Sequence, residues 1–249
     1  MLKALIFDVD GTLAETEDLH RQAFNRAFAE FGLPWHWEPA TYADLLTVMG
    51  GKERLAHYIE TRFPEEAAAL LARCPEIHER KTKVYGDLVD AGRLALRPGI
   101  RRLIAEAGAA GVKLAVATTT SRPNVDRLIA VNFPDGVQPF DVIAAGDEAA
   151  RKKPAPDVFT LALERLGVRP SEAIAVEDSA AGIRSALDAG LAVIATRSLY
   201  TERHSLDGAF SAVSDLGEPD SPHRHIAGVV WPGGVVTLAA LKDWHAGRP

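Results

Sequence analysis

The feature that most constrains the fold is the regular alternation of apolar runs and amphipathic segments between Leu96 and Thr196. "RPGIRRLIAEAGAAG" (97–111) predicts a helix opened by Pro-Gly, and "VKLAVATTT" (112–120) predicts a buried strand. "FDVIAAG" (140–146) reads as a further strand. "APDVFTLALERLG" (155–167) reads as a helix that closes on a glycine, the residue most tolerant of positive φ. "AIAVED" (173–178), "SAAGIRSALDAG" (179–190) and "LAVIAT" (191–196) continue as strand, helix and strand. With "LKALIFD" (2–8) as a first strand, the pattern is a βαβ series, so the expected class is α/β around a mostly parallel sheet.

Residues 15 to 92 break the series. They contain amphipathic helical stretches and no convincing buried strand. In Thr16–Phe31 the residues Leu19, Ala23, Phe24, Ala27, Phe28 and Phe31 form one stripe, and Gly32 ends it. The expected organisation is therefore a core domain over 1–14 and 93–249, with a helical domain over 15–92 inserted after the first strand. The hinges are expected near Leu13–Glu15 and Gly92–Arg97. Beyond Tyr200, "PDSPHRH" (219–225) reads as a loop and "GGVVTLAALKDW" (233–244) as a final helix.

Composition excludes several classes of partner. Of 249 residues 47% are hydrophobic, enough for a well-buried core, and 28 basic against 34 acidic residues give a charge of −6. No basic tract is present, so nucleic acid is not an expected partner. The single cysteine, Cys74, cannot form an intrachain disulfide and reads as buried packing, which suits the cytoplasm or another reducing soluble compartment. No basic-plus-apolar leader is read, and no apolar run approaches the roughly 20 residues of a membrane helix. A monomer acting on a small molecule is the expectation.

The chemistry gathers where strands end. In open α/β sheets ligands sit outside the carboxyl ends of the strands. Asp8 and Asp10 follow the first strand, Thr118 ends the second, Lys153 lies after "FDVIAAG", and Glu177-Asp178 closes "AIAVED". Asp8 and Asp10, two apart along an extended chain, point to one side and repel. Such a nest of acids is stable around a hard divalent cation, and Mg2+ prefers oxygen ligands together with water and phosphate. With Mg2+ and Lys153 offsetting the charge, Asp8 can attack phosphorus as a nucleophile. Asp10 can protonate the leaving alcohol and then deprotonate water. Gly11 and Thr12 allow a tight backbone turn that faces N–H groups to phosphate, and Thr118 adds a hydroxyl donor.

"DVDGT", the threonine ending "LAVAT", "KKPAPD" and "AVEDS" resemble the four motifs of the haloacid dehalogenase superfamily, in the right order over residues 1 to about 200. The resemblance implies a Rossmann-like core, a helical C1 cap formed by the insert, and Mg2+ held by Asp8, the Asp10 carbonyl and Asp178 with Glu177 assisting. "LAETEDLHRQAFN", "GGKER", "VATTTSRPNV" and "EDSAAGIRSA" further resemble the CbbY group, whose characterised members are xylulose-1,5-bisphosphate phosphatases. That likeness implies substrate contacts from Glu17, His20, Tyr42, Lys52, Arg54 and Lys81, and from Thr119, Arg122 and Asn124, with Arg184 as a further candidate. From the residues themselves, Glu17 and His20 share the apolar stripe of the first cap helix in the turn nearest the hinge and read as facing the cleft between the domains. Lys52, Arg54 and Lys81 are cations that could hold a second anionic group.

Two other functions share the core motifs. A sugar phosphomutase resembling β-phosphoglucomutase would return the phosphoryl group to a sugar rather than to water. A non-catalytic aspartyl-phosphate switch would gain nothing from a hydrolytic Asp10. His223 and His225 in "PHRH" lack a third ligand at suitable spacing and read as loop.

Overall fold

The computed structural model describes residues 1–92, 94–133 and 136–247. In chain order the elements begin with β1 (Ala4–Phe7), α1 (Glu17–Glu30), α2 (Pro39–Leu45), α3 (Gly51–Arg62), α4 (Ala67–Asp90), α5 (Ile100–Ala109), β2 (Lys113–Thr118) and α6 (Arg122–Asn132). They continue with β3 (Val142–Ala145), α7 (Asp157–Leu166), β4 (Ala173–Glu177), α8 (Ala180–Asp188), β5 (Ala192–Thr196), β6 (Ser211–Val213), β7 (His225–Gly228) and α9 (Leu238–Ala246). Two compact units result, Met1–Glu15 with Ala95–Pro249, and Thr16–Leu94. Of the hinge residues expected from the sequence, Arg93 lies outside the described residues.

The first unit holds a seven-stranded sheet in the order β3-β2-β1-β4-β5-β6-β7. All neighbours run parallel except β6 and β7. The chain first builds outward from β1 through β2 to β3, then returns to the other side of β1 with β4. That reversal opens a crevice at the carboxyl ends of β1 and its two neighbours. Registers Phe7↔Val116 and Phe7↔Val176 bring the ends of β1, β2 and β4 level, so Asp8, Thr118 and Glu177 emerge at one height.

The strands are short and rich in alanine, and every residue of β1, β4 and β5 is buried. Ala4, Ile6, Ala115, Ala117 and Ala175 pack against Val158, Phe159 and Ala162 of α7 and Ile183 and Ala186 of α8. Small strand residues let the helices approach closely, and large ones from the helices fill the space. At roughly 25 cal/mol per Å2 of apolar surface removed from water, such residues supply the main force holding the site's scaffold rigid.

The second unit is built from α1 to α4 and contains no strand among its described residues. Phe24 and Phe28 are fully buried, with ring centroids 4.6 Å and 5.0 Å from Trp37. Trp35 stacks on Phe63 at 5.2 Å. The aromatic stripe of α1 is thus the insert's own core. Cys74 is buried in α4, beside Pro75.

The carboxyl-terminal stretch differs from the expectation. The final helix runs over Leu238–Ala246, not 233–244, because the Thr237 side chain caps it by accepting from the Ala240 N–H, and Gly233 adopts positive φ ahead of it. Two strands, β6 and β7, follow β5, where no strand was read. No described helix is long and apolar enough to cross a membrane.

Candidate active site

The first unit brings Asp8, Asp10, Thr118, Lys153, Glu177 and Asp178 to the carboxyl ends of β1, β2 and β4. Lys153 is central and buried. Its ammonium donates to Asp8 Oδ1 at 2.5 Å, to Glu177 Oε1 at 2.7 Å and to the Ala117 carbonyl at 3.0 Å. It also lies 4.9 Å from the centroid of the Phe159 ring. An ammonium has three N–H donors, and these three acceptors use all of them.

Glu177 is held by the protein on both oxygens. Its Oε2 accepts from the backbone N–H of Asp178 at 2.7 Å and of Ser179 at 2.8 Å, and from the Ser179 hydroxyl at 3.1 Å. Ser179 in turn caps α8 by accepting from the Gly182 N–H at 3.0 Å. A side chain at Gly182 would collide with the Glu177 carboxylate, so only glycine leaves room for it. Asp178 Oδ2 accepts from the Thr201 hydroxyl at 3.0 Å, and Thr201 shares a second bond with Ser198 at 2.9 Å.

Asp10 accepts a hydrogen bond from the Thr120 hydroxyl. Thr118 Oγ1 accepts from the Thr120 N–H at 3.1 Å, leaving its own hydrogen to donate. Gly11 turns the chain with a φ of 82°. A Cβ there would stand 2.7 Å from Asp178 Cγ and 2.9 Å from Ser198 Oγ, so the loop after β1 and the carboxylate after β4 meet only because residue 11 is glycine.

Burial pushes the Asp8 carboxyl well above its ordinary range; Lys153 opposes this, while Glu177 and Asp10 add to it. Burial likewise raises Asp178, helped by the Glu177 and Asp8 charges and opposed by hydrogen bonds from Ser198 and Thr201. For Lys153 burial acts downward, but the Asp8 and Glu177 carboxylates outweigh it and the net shift is upward. One ammonium thus faces more acids than it can neutralise.

Asp8, Glu177 and Asp178 can each present an oxygen within 4.8 Å of the others. The donors are all hard oxygens, buried, with surplus negative charge and two carboxyls held toward protonation. These residues fit a divalent cation. His223 and His225 enter no comparable group among the described residues.

The other expected residues divide between the two units. Within the first, Asn124 is buried near the start of α6, and its Oδ1 has no partner among the described residues. Arg122 is exposed and pairs with Asp126 at 2.8 Å, and Arg184 is exposed and pairs with Asp188 at 2.8 Å. Thr119 is half-buried next to Thr118.

Within the second unit the expected residues form two polar groups. Tyr42 donates its hydroxyl to Glu17 Oε2 at 2.7 Å and accepts from Arg54 at 2.7 Å, while the Arg54 guanidinium lies 5.0 Å from the Tyr42 ring centroid. Lys81 donates to His20 Nδ1 at 2.8 Å, which places the imidazole proton on Nε2. Lys81 also sits 5.0 Å and 5.4 Å from the Phe24 and Tyr85 ring centroids. His20 stacks on Tyr85 at 4.0 Å. His78, which the sequence reading did not single out, is lowered to about 3 by burial and by the charges of Lys81 and Lys52. Lys52 is exposed on α3.

Sequence reasoning missed Thr120, Ser198 and Thr201. The signal for Thr120 was slight, a hydroxyl two residues beyond Thr118; Ser198 and Thr201 follow β5, whose end carried no named group.

A sheet that reverses at β1, with acids and a lysine at the reversal, defines an enzyme scaffold for phosphoryl chemistry. The family model for haloacid dehalogenase-like hydrolases matches residues 5–196, and the chain belongs to that family. It is 46% identical over 252 residues to protein CbbY (plasmid) of Cupriavidus necator, covering 99% of this chain and 98% of that one. It is 50% identical over 217 residues to protein CbbY of Rhodobacter capsulatus, covering 86% and 94%. A crystal structure of a CbbY variant from Rhodobacter sphaeroides, in complex with xylulose 1,5-bisphosphate, superposes with a TM-score of 0.79 at 46% identity, covering 88% of this chain and 96% of that one. The chain is a phosphatase of the CbbY-like group.

Proposed function

We propose that the chain is a Mg2+-dependent phosphatase of sugar phosphates that forms a transient phosphoester on Asp8, with xylulose 1,5-bisphosphate the leading substrate. The observation that carries this reading is the buried cluster in which Lys153 bonds Asp8 and Glu177 while Asp178 stands within ligand distance of both. The substrate assignment leans on the likeness to the Rhodobacter sphaeroides protein crystallised with that sugar.

Asp8, Asp178 and the main-chain carbonyl of Asp10 would hold the Mg2+, with Glu177 assisting. Glu177 already accepts from Lys153 and three donors of the Asp178-Ser179 turn, so its chief work is to orient them. When bound, the cation supplies positive charge that lets a phosphate dianion approach a nest of acids.

In the first step an Asp8 carboxylate oxygen bonds to phosphorus as the bond from phosphorus to the sugar oxygen breaks, and Asp10 gives its proton to that leaving oxygen. Thr120, bonded to Asp10, fixes the carboxyl's orientation. In the second step water bonds to phosphorus, Asp10 takes the water's proton, and the phosphorus–Asp8 bond breaks to release phosphate and restore the carboxylate. Lys153 stays protonated throughout and holds Asp8 in place. Thr118 directs its free hydrogen to a phosphoryl oxygen.

Selection of the sugar is assigned to the insert. Arg54, bonded to Tyr42, and Lys81, bonded to His20, offer buried cations whose orientation is set before any ligand arrives.

A screen of sugar mono- and bisphosphates with Mg2+, comparing kcat/KM, tests the reading. Release of phosphate with a ketose bisphosphate as the best substrate is expected. Isomerised sugar phosphate without free phosphate would point to the mutase, and no turnover of any ester to the switch.

A further inference from the structure

The mechanism leaves unused the most extensively bonded cation in the first unit. Arg97, at the start of the segment that leads into α5, is only 9% exposed although its charge is permanent. Its Nη1 donates to the Gly11 carbonyl, and to the Thr196 carbonyl at 3.3 Å and hydroxyl at 3.2 Å. Its Nη2 donates to the carbonyls of Arg197 and Ser214, each at 2.6 Å. Its Nε pairs with Glu15 at 3.0 Å, and its own backbone N–H donates to the Leu13 carbonyl at 2.8 Å. A guanidinium carries five N–H donors in one plane, and this one has acceptors for all of them.

The acceptors are not scattered. Gly11 is the residue after Asp10, and a Cβ on it would collide with the Asp178 carboxylate and Ser198. Arg197 is the residue before Ser198, whose hydroxyl bonds the Thr201 that in turn bonds Asp178. One planar cation therefore grips the loop that carries the nucleophile and the general acid, and the loop that supports the carboxylate opposite them. Both loops are held by main-chain carbonyls, which leaves their side chains to the chemistry.

We propose that Arg97 is a positioning residue for the phosphoryl-transfer site: it sets the spacing between the Asp8–Asp10 loop and the Ser198–Thr201 loop. The inference rests on the phosphatase reading for its catalytic consequence, but the loop-holding itself does not. Lysine cannot replace the fork. Its tetrahedral head has three donors for the six acceptors that the planar fork engages, so some of the grip is lost, and misplacement of reacting groups by about 1 Å can cost on the order of 100-fold in rate.

The test compares wild type, Arg97→Lys and Glu15→Gln by steady-state kinetics, thermal unfolding and hydrogen–deuterium exchange without substrate. Arg97→Lys is expected to lower kcat about 10- to 100-fold while KM changes less than about threefold, because ligand contacts are untouched and only reacting geometry is lost. Exchange should rise in peptides covering 9–14 and 197–201 and stay unchanged over β2, β4 and α7. Glu15→Gln keeps the carbonyl grip and is expected to keep kcat within about threefold. A folded Arg97→Lys protein with wild-type kcat, or with exchange raised evenly over the sheet, would overturn the proposal. If Arg97→Lys does not fold, native-state exchange of the wild type at rising denaturant takes its place: residues 9–14 and 197–201 are expected to lose protection together in one opening step, as loops gripped by one cation would, and independent opening of the two refutes the claim. The exchange readout needs no turnover, so a failed phosphatase reading and a failed positioning role give different results.

Discussion

The two units handle buried charge in opposite ways. In the first, Lys153 bonds Asp8 and Glu177, and Asp178 adds a third acid within ligand distance of those two. In the second, Arg54 and Lys81 are buried with Tyr42, His20 and aromatic rings around them, and Glu17 is the acid in direct reach of Arg54. Surplus acid suits a cation plus a phosphoryl group that arrives with it. Buried cations with preset orientation would suit an anion that needs no chemistry done to it. Under the proposed function the contrast would separate reaction from recognition within one chain: the strand ends of the first unit are assigned the first, and the helix faces of the second unit the second.

The largest effect that sharpens this contrast is expected from Asp8→Asn. Loss of the attacking oxygen should lower kcat by about 10⁴-fold or more with the fold intact. Phosphate release surviving within tenfold of wild type would break the assignment of chemistry to the first unit. Next comes Lys153→Ala, expected to lower kcat about 10²- to 10³-fold, as for other residues that stabilise developing charge. A change confined to KM would instead make Lys153 a binding residue.

How far this division could be read in advance differs between the units for a physical reason. Buried parallel strands write themselves as continuous apolar runs, so β1, β2, β4 and β5 were legible from "LIFDVD", "LAVAT", "AIAVED" and "LAVIAT", together with the groups at the ends of the first three. The strands β6 and β7 were not. One has three residues, and the other has four, is largely exposed and begins at His225, the last residue of the stretch read as loop. Arg97 was equally hidden, because its partners are mostly backbone carbonyls, which every residue type possesses. In the insert the residue types were legible but their pairing was not: nothing in the spacing of Glu17, Tyr42 and Arg54 shows that they join, since they come from three different helices.

A smaller effect is expected from the insert. Arg54→Ala should raise KM for a bisphosphate about tenfold and for a monophosphate less, and exposed Lys52→Ala about threefold. Equal changes for both substrates would remove the idea that the insert binds a second anion.

The smallest effect is in stability, where the two units should respond to pH with opposite sign. Asp8 and Asp178 are raised above the ordinary 3.8 in the fold, so the folded metal-free protein binds more protons than the unfolded chain above that pH. Their contribution is lost as pH rises through the folded values. His78 is lowered to about 3 from 6.5, so its contribution is present above 6.5 and lost as pH falls toward 3. Metal-free protein should therefore show a Tm that Mg2+ raises more at pH 8 than at pH 5.5. A Mg2+ effect independent of pH would contradict the assignment of the ion to these raised carboxyls.

The claim on which the rest depends is that Asp8 itself carries the phosphoryl group. Acid-quenching the protein during turnover, reducing the acyl phosphate with borohydride and locating the product by peptide mass spectrometry tests it directly. Homoserine at position 8 in the quenched sample, and none without substrate, is the expected result. Reduction at another residue, or at none while phosphate is still released, would contradict it.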